Sequence, residues 1–62
     1  MKTIKAQDVK VGDTIKLDTH LSMQVATIRV DKLPDGQLGY RFFSHNGACI
    51  WNRHDEELVL AD

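Results

Sequence analysis

The sequence predicts an all-β fold: about five short antiparallel strands rolled into a small barrel around a central three-stranded meander. Three observations carry that reading. Two turns are written into the chain, Leu33-Pro34-Asp35-Gly36-Gln37 and His45-Asn46-Gly47-Ala48. Segments beside them alternate apolar and polar residues with period two, as in Thr14-Ile15-Lys16-Leu17. No stretch keeps a helical period through even three turns, and no repeat or linker interrupts residues 1–62, which read as a single domain.

Taken in order, Met1 to Ala6 is an extended lead-in with Ile4 turned inward. Gln7 to Asp13 is a turn, bent at Gly12-Asp13. The strand Thr14 to Leu17 places Ile15 and Leu17 inside, and Asp18-Thr19-His20-Leu21-Ser22 reads as a polar loop. The meander runs from Gln24 to Arg53. His54-Asp55-Glu56 then turns the chain into a last strand, Glu57-Leu58-Val59-Leu60.

The two turns set an expected register. Pro34 presets φ at the first corner and Gly36 takes the left-handed position of a bulge. With a three-residue loop Val30 faces Tyr40, Arg29 faces Arg41 and Thr27 faces Phe43, whereas a four-residue loop slips the register by one and flips the strand before it. Asn46-Gly47 reads as a two-residue type I′ loop, so Ser44 faces Cys49, Phe43 faces Ile50 and Phe42 faces Trp51. On that count Ala26, Ile28, Val30, Tyr40, Phe42, Ser44, Cys49 and Trp51 form the core face, with Arg53 at its edge. Val25, Thr27, Arg29, Asp31, Arg41, Phe43, His45, Ala48, Ile50 and Asn52 face outward.

Composition narrows the function classes. A 62-residue chain buries only about 60% of its unfolded surface, which leaves little room for a large catalytic cleft. One cysteine forbids an internal disulfide and fits a reducing cytoplasm, though a bridge between chains stays open. No apolar run approaches the roughly 20 residues that span a bilayer, and no signal-peptide core follows Met1, so a cytoplasmic protein without a membrane partner is expected. The net charge is −1, from eight Lys and Arg against nine Asp and Glu, which disfavours nonspecific nucleic-acid binding. Lys2, Lys5, Lys10 and Lys16 crowd the start, and Asp55-Glu56-Glu57 reads as a solvated acidic turn.

The segment Ala6 to Ile15, above all Val11-Gly12-Asp13, resembles the opening of many small β-rich domains. These include SH3-like barrels encoded by phages and bacteria, and the first strands of intein-type domains. Intein chemistry needs an N-terminal Cys or Ser and a much longer chain than these 62 residues. The resemblance therefore implies a five-stranded SH3-like barrel and carries over no functional residue.

Cys49 with His45 and His54 is the first constellation to weigh for chemistry. Zinc prefers four ligands, and this set offers three, with Cys49 and His45 expected on opposite faces. Cys49 is read instead as a small buried hydrophobe. No catalytic residue, metal or cofactor is expected, and the chain is read as a non-enzyme. Trp51, Phe42 and Tyr40 have the composition of a stacking platform, but the expected register assigns them to the core.

The outward face is more informative. It sets Arg29 and Arg41 directly opposite each other, beside Phe43, Ile50 and His45. Like charges in register cost stability, and aromatic residues with arginine are enriched where interfaces concentrate their binding energy. Arg29, Arg41, Phe43, His45 and Ile50 are accordingly the candidate partner-binding residues. The leading reading is a protein-interaction module that modulates a host or partner enzyme. A nucleic-acid-binding small barrel is the alternative, with Lys16 and Arg53 as helpers, and a structural homo-oligomer is the third. The chain's own ends covering Phe43 and Ile50 is the bland explanation of the same face.

Overall fold

The computed structural model describes residues 2–61. Met1, which the sequence reading assigns to the lead-in, and Asp62 lie outside them. Seven strands are formed: β1 (Lys2–Lys5), β2 (Thr14–Asp18), β3 (Leu21–Gln24), β4 (Thr27–Lys32), β5 (Leu38–Phe43), β6 (Cys49–Arg53) and β7 (Glu57–Leu60). A single 3-10 turn, Ala6–Asp8, follows β1. One antiparallel sheet has the order β1-β7-β2-β3 and the other β4-β5-β6. The protein is all-β, as the alternating pattern predicts. The expected five strands are seven, however, and the strand pairing among the described residues does not close into a barrel.

Both extra strands come from segments whose local signals are weak. β1 is the extended lead-in, and it acquires a partner only through the far end of the chain, with Ile4 opposite Leu58. β3 begins in the expected polar loop, at Leu21 and Ser22, and ends at Gln24, where the meander is expected to start. Asp18 pairs with Leu21 across a two-residue connection, Thr19-His20, in which the Asp18 carboxylate accepts the Thr19 N–H at 2.7 Å. The register shifts between Lys16 and Asp18. That irregularity turns Leu17 outward, where it is exposed rather than buried as expected.

Val25 and Ala26 carry the chain from one sheet to the other. Val25 donates to the Asp13 carbonyl at 2.8 Å and accepts from Gly12 at 2.8 Å, whereas Ala26 donates to the Phe43 carbonyl at 2.7 Å. The sheets thus share a corner, and their inner faces meet over one core. Ala6, Val9, Ile15, Met23, Val25 and Phe42 are buried there, with Ile4, Ile28, Tyr40, Ile50 and Leu58 packed around them. The thinnest dimension is 17 Å.

The first hairpin forms as the sequence reading expects. Gly36 has φ +87°, its N–H reaches the Leu33 carbonyl at 2.9 Å, and Leu33 donates to Gln37 at 2.8 Å. Thr27 then faces Phe43, Arg29 faces Arg41 and Val30 faces Tyr40.

The second hairpin departs from expectation by one residue. Among the described residues no non-glycine has positive φ, so Asn46 is not the left-handed residue a type I′ loop requires; Gly47 alone, at φ +91°, takes that region. The loop is therefore His45-Asn46-Gly47, closed by a Ser44 N–H to Ala48 carbonyl bond of 2.9 Å. Two side chains favour this form. The Ser44 hydroxyl and the Asn46 amide oxygen both accept the Ala48 N–H, at 3.0 and 3.2 Å. Phe42 consequently faces Ile50, and Arg41 faces Trp51. Because side chains alternate with period two, the slip turns all of β6 over. Ile50 joins the core face; Cys49, Trp51 and Arg53 leave it, and all three are exposed.

These placements separate two residues that composition alone treats alike. Phe42 has no solvent exposure, so Phe42→Ala is expected to destabilise by about 3–5 kcal/mol. Trp51→Ala should cost about half of that or less. Chemical denaturation of the two variants checks the order, and equal losses would contradict the register of β6. Gly47→Val forces a β-branched residue into the left-handed region and should cost about 1–2 kcal/mol in the same assay.

Candidate binding face

The outward face of the three-stranded sheet is built in three ranks. Thr27, Phe43 and Cys49 form the first, Arg29, Arg41 and Trp51 the second, and Asp31, Gly39 and Arg53 the third. Each rank takes one residue from each strand, so the separations are set by the spacing of neighbouring strands, about 4.7–4.9 Å.

Trp51 is the largest group on this face, and Gly39 explains its position. A methyl group on Gly39 would sit 2.9 Å from the indole nitrogen and 3.1 Å from Cζ2 of Trp51, and 3.2 Å from Cδ2 of Leu33. The ring and Leu33 therefore occupy the space that the missing side chain leaves, and the indole lies down over bare backbone. Its remaining exposure is 43%, so much of the ring still meets solvent.

Three arginines share the face with this ring. Arg41 is next to it in register and lies 4.0 Å from the Asp31 carboxylate. Arg53 donates to Asp35 at 3.0 Å. Asp35 also accepts the Gln37 N–H at 3.0 Å, and that bond, followed by Arg53, holds its carboxyl below the usual aspartate range. Arg29 has no carboxylate within salt-bridge distance among the described residues. It remains directly opposite Arg41.

Of the candidate residues read from the sequence, Arg29, Arg41 and Phe43 do share this face, with Phe43 half-buried. His45 does not join their ranks. It sits in the turn beyond the ladder, beside a shallow groove of about 360 Å³ that also involves Leu17, Leu21 and Met23. Ile50 is on the opposite face, packed on the core, because the slip in the second hairpin inverted it. Trp51 and Gly39 are the members that sequence reasoning missed. Reading the second loop as three residues, rather than the two expected from Asn46-Gly47, would have found Trp51, since it puts the ring in register with Arg41.

The same slip relocates Cys49, which is exposed rather than buried. Among the described residues no group of three or more His, Cys, Asp or Glu side chains is arranged to hold a metal ion. His54 lies apart, 2.6 Å from the Gln37 amide oxygen and 3.4 Å from that of Gln7. It ties the first hairpin to the 3-10 turn. What the outward face offers chemically is a flat aromatic surface with guanidinium groups at its margin. No helix among the described residues is long and apolar enough to cross a membrane.

Gly39→Val should evict the indole from its seat. The single tryptophan makes that visible as a red shift in intrinsic emission with the fold retained, and an unshifted spectrum would contradict the Gly39 seat. For Asp35, a carboxyl lowered in the folded state stabilises above its unfolded pKa, and the effect is lost as pH falls through the folded value. The stability difference between the native chain and Asp35→Asn should therefore be full at neutral pH and close at acid pH; a difference independent of pH would contradict the assignment. Compared with known proteins, this chain matches no family model, no curated protein and no solved structure.

Proposed function

We propose that this chain is a non-enzymatic protein-interaction module, and that it binds its partner through the outward face of β4, β5 and β6. The observation that carries the proposal is the half-exposed Trp51, laid over Gly39 and in register with Arg41 and Arg29. Tryptophan and arginine are the residues most enriched where truncation costs an interface the most. A ring seated on backbone also gives up little freedom on binding, which lowers the entropic cost of association.

The partner surface that fits is an apolar side chain flanked by carboxylates. The apolar group covers Trp51 and Phe43, and the carboxylates take bidentate bonds from Arg29 and Arg41. Asp31 and Asp35 among the arginines temper the positive field, which suits a short peptide surface better than a run of phosphates. In a phage or bacterial setting, the partner would be an enzyme whose activity this module adjusts. The SH3-like kinship belongs to the same proposal, supported by the bend at Gly12-Asp13 and the corner at Val25-Ala26. Nucleic-acid binding is the second reading, and the exposed indole favours it, because an accessible ring stacks on any base.

Trp51 fluorescence separates the two. A synthetic peptide of alternating Glu and Phe and a single-stranded oligonucleotide are titrated at low and moderate salt. Saturable binding of the peptide that survives moderate salt supports the proposal. Trp51→Ala (followed by calorimetry) and Arg41→Glu should each weaken it about tenfold or more. Oligonucleotide binding that collapses with salt, without peptide binding, would replace the first reading with the second.

A further inference from the structure

In the antiparallel ladder, alternate residues of an edge strand turn their N–H and C=O groups away from the sheet. The Leu33–Gln37 bond fixes the phase for β4: Asp31, Arg29 and Thr27 bond to β5, and Ile28, Val30 and Lys32 point outward. These three residues make no other backbone hydrogen bond among the described residues. β4 has six residues, a longer free edge than β6, where the Arg53 N–H is already held by the Glu56 carboxylate at 2.9 Å. At the middle of this edge stands Val30, an apolar side chain left 51% exposed. Unpaired edges of that kind are templates for another strand.

The charge pattern of β4 says which strand fits. We propose that β4 pairs antiparallel with β4 of a second copy of this chain, across a two-fold axis at Val30. In that register Val30 faces its own equivalent, and Ile28 faces Lys32. All three outward-pointing backbone pairs bond mutually. Arg29 then faces Asp31 of the other copy, and Asp31 faces Arg29, in the closely spaced, non-bonded positions where side chains approach best. The interface is self-complementary, as a two-fold contact must be. It also supplies a carboxylate to Arg29, which faces only Arg41 within its own chain. The two three-stranded sheets become one continuous sheet of six, and the Trp51 faces of the two copies lie on the same side. The pairing needs no bound partner, so it stands or falls independently of the proposed peptide site.

Sedimentation velocity over a dilution series tests this directly. The native chain should move from one 7.0 kDa chain mass toward twice that value as concentration rises. Val30→Pro should abolish the shift, because the Val30 N–H takes no part in the bonds to β5 and its loss spares the fold. Arg29→Asp and Asp31→Arg should each remain monomeric alone, facing like charges, and associate when mixed. A mass that stays at one chain at every concentration overturns the proposal, as does Val30→Pro that still dimerises. So does a mixture of folded charge variants that fails to associate. Amide exchange on the unaltered chain needs no variant: Ile28, Val30 and Lys32 should gain protection with concentration, and unchanged exchange there overturns the pairing.

Discussion

The left-handed glycine at Gly47 is the constraint on which the rest of the candidate binding face depends. With Gly47 alone in that region, the loop holds three residues, and β6 meets β5 with Phe42 opposite Ile50. Had Asn46 shared the left-handed conformation, the loop would hold two residues and Trp51 would point into the core. The Ser44 and Asn46 oxygens on the Ala48 N–H weigh toward the first outcome. A few local hydrogen bonds thus decide which of two large apolar side chains the core receives. Ile50 fills the site beside Phe42 without a polar group to satisfy, whereas an indole there would need a partner for its N–H.

Once Trp51 is outside, Gly39 gains a purpose. A glycine in the middle of a strand costs backbone entropy and leaves a gap in the side-chain surface. Here the gap is the seat of the indole, so the same absence of a side chain steadies an aromatic group on the solvent face. The arginines follow from the period of two. Arg29 and Arg41 must share a face with whatever β6 contributes at the same rank, and that contribution is Trp51. The edge strand β4 lies along the margin of this face, where Arg29 and its neighbour Asp31 would meet in opposite order across the proposed pairing with a second copy.

Much of this was legible in the sequence, and the rest failed for identifiable reasons. Pro34 and Gly36 mark a turn of three or four residues, and the first hairpin takes the register of the three-residue form. Asn46-Gly47 serves two loop lengths, and the choice depends on the Ser44 hydroxyl, whose role no pairwise turn preference contains. Leu17 obeyed the alternation until the irregularity before Asp18 moved it outward. Leu21-Ser22-Met23-Gln24 alternates as a strand should, but the Thr19-His20 connection lacks the glycine or proline that marks a turn. The division into two sheets was invisible, because it rests on partners far apart in the chain, such as Ile4 with Leu58. Strand alternation and the first turn place Arg29, Arg41 and Phe43 on the outward face, as the structure does; a single residue of slip in β6 exchanges Ile50 for Trp51 there.

That slip is the most direct point of test. In an antiparallel ladder the α-protons of a non-bonded pair lie close, at Cα separations of about 4.5 Å, and give strong cross-strand contacts in a proton NMR spectrum. The register described here makes Arg41 and Trp51 such a pair, with Phe43 and Cys49 next along the ladder. Strong α-proton contacts between Arg41 and Trp51 would establish the outward indole and the face built around it. Strong contacts instead between Phe42 and Trp51, and between Ser44 and Cys49, the non-bonded pairs of a two-residue loop, would return Trp51 to the core and remove that face.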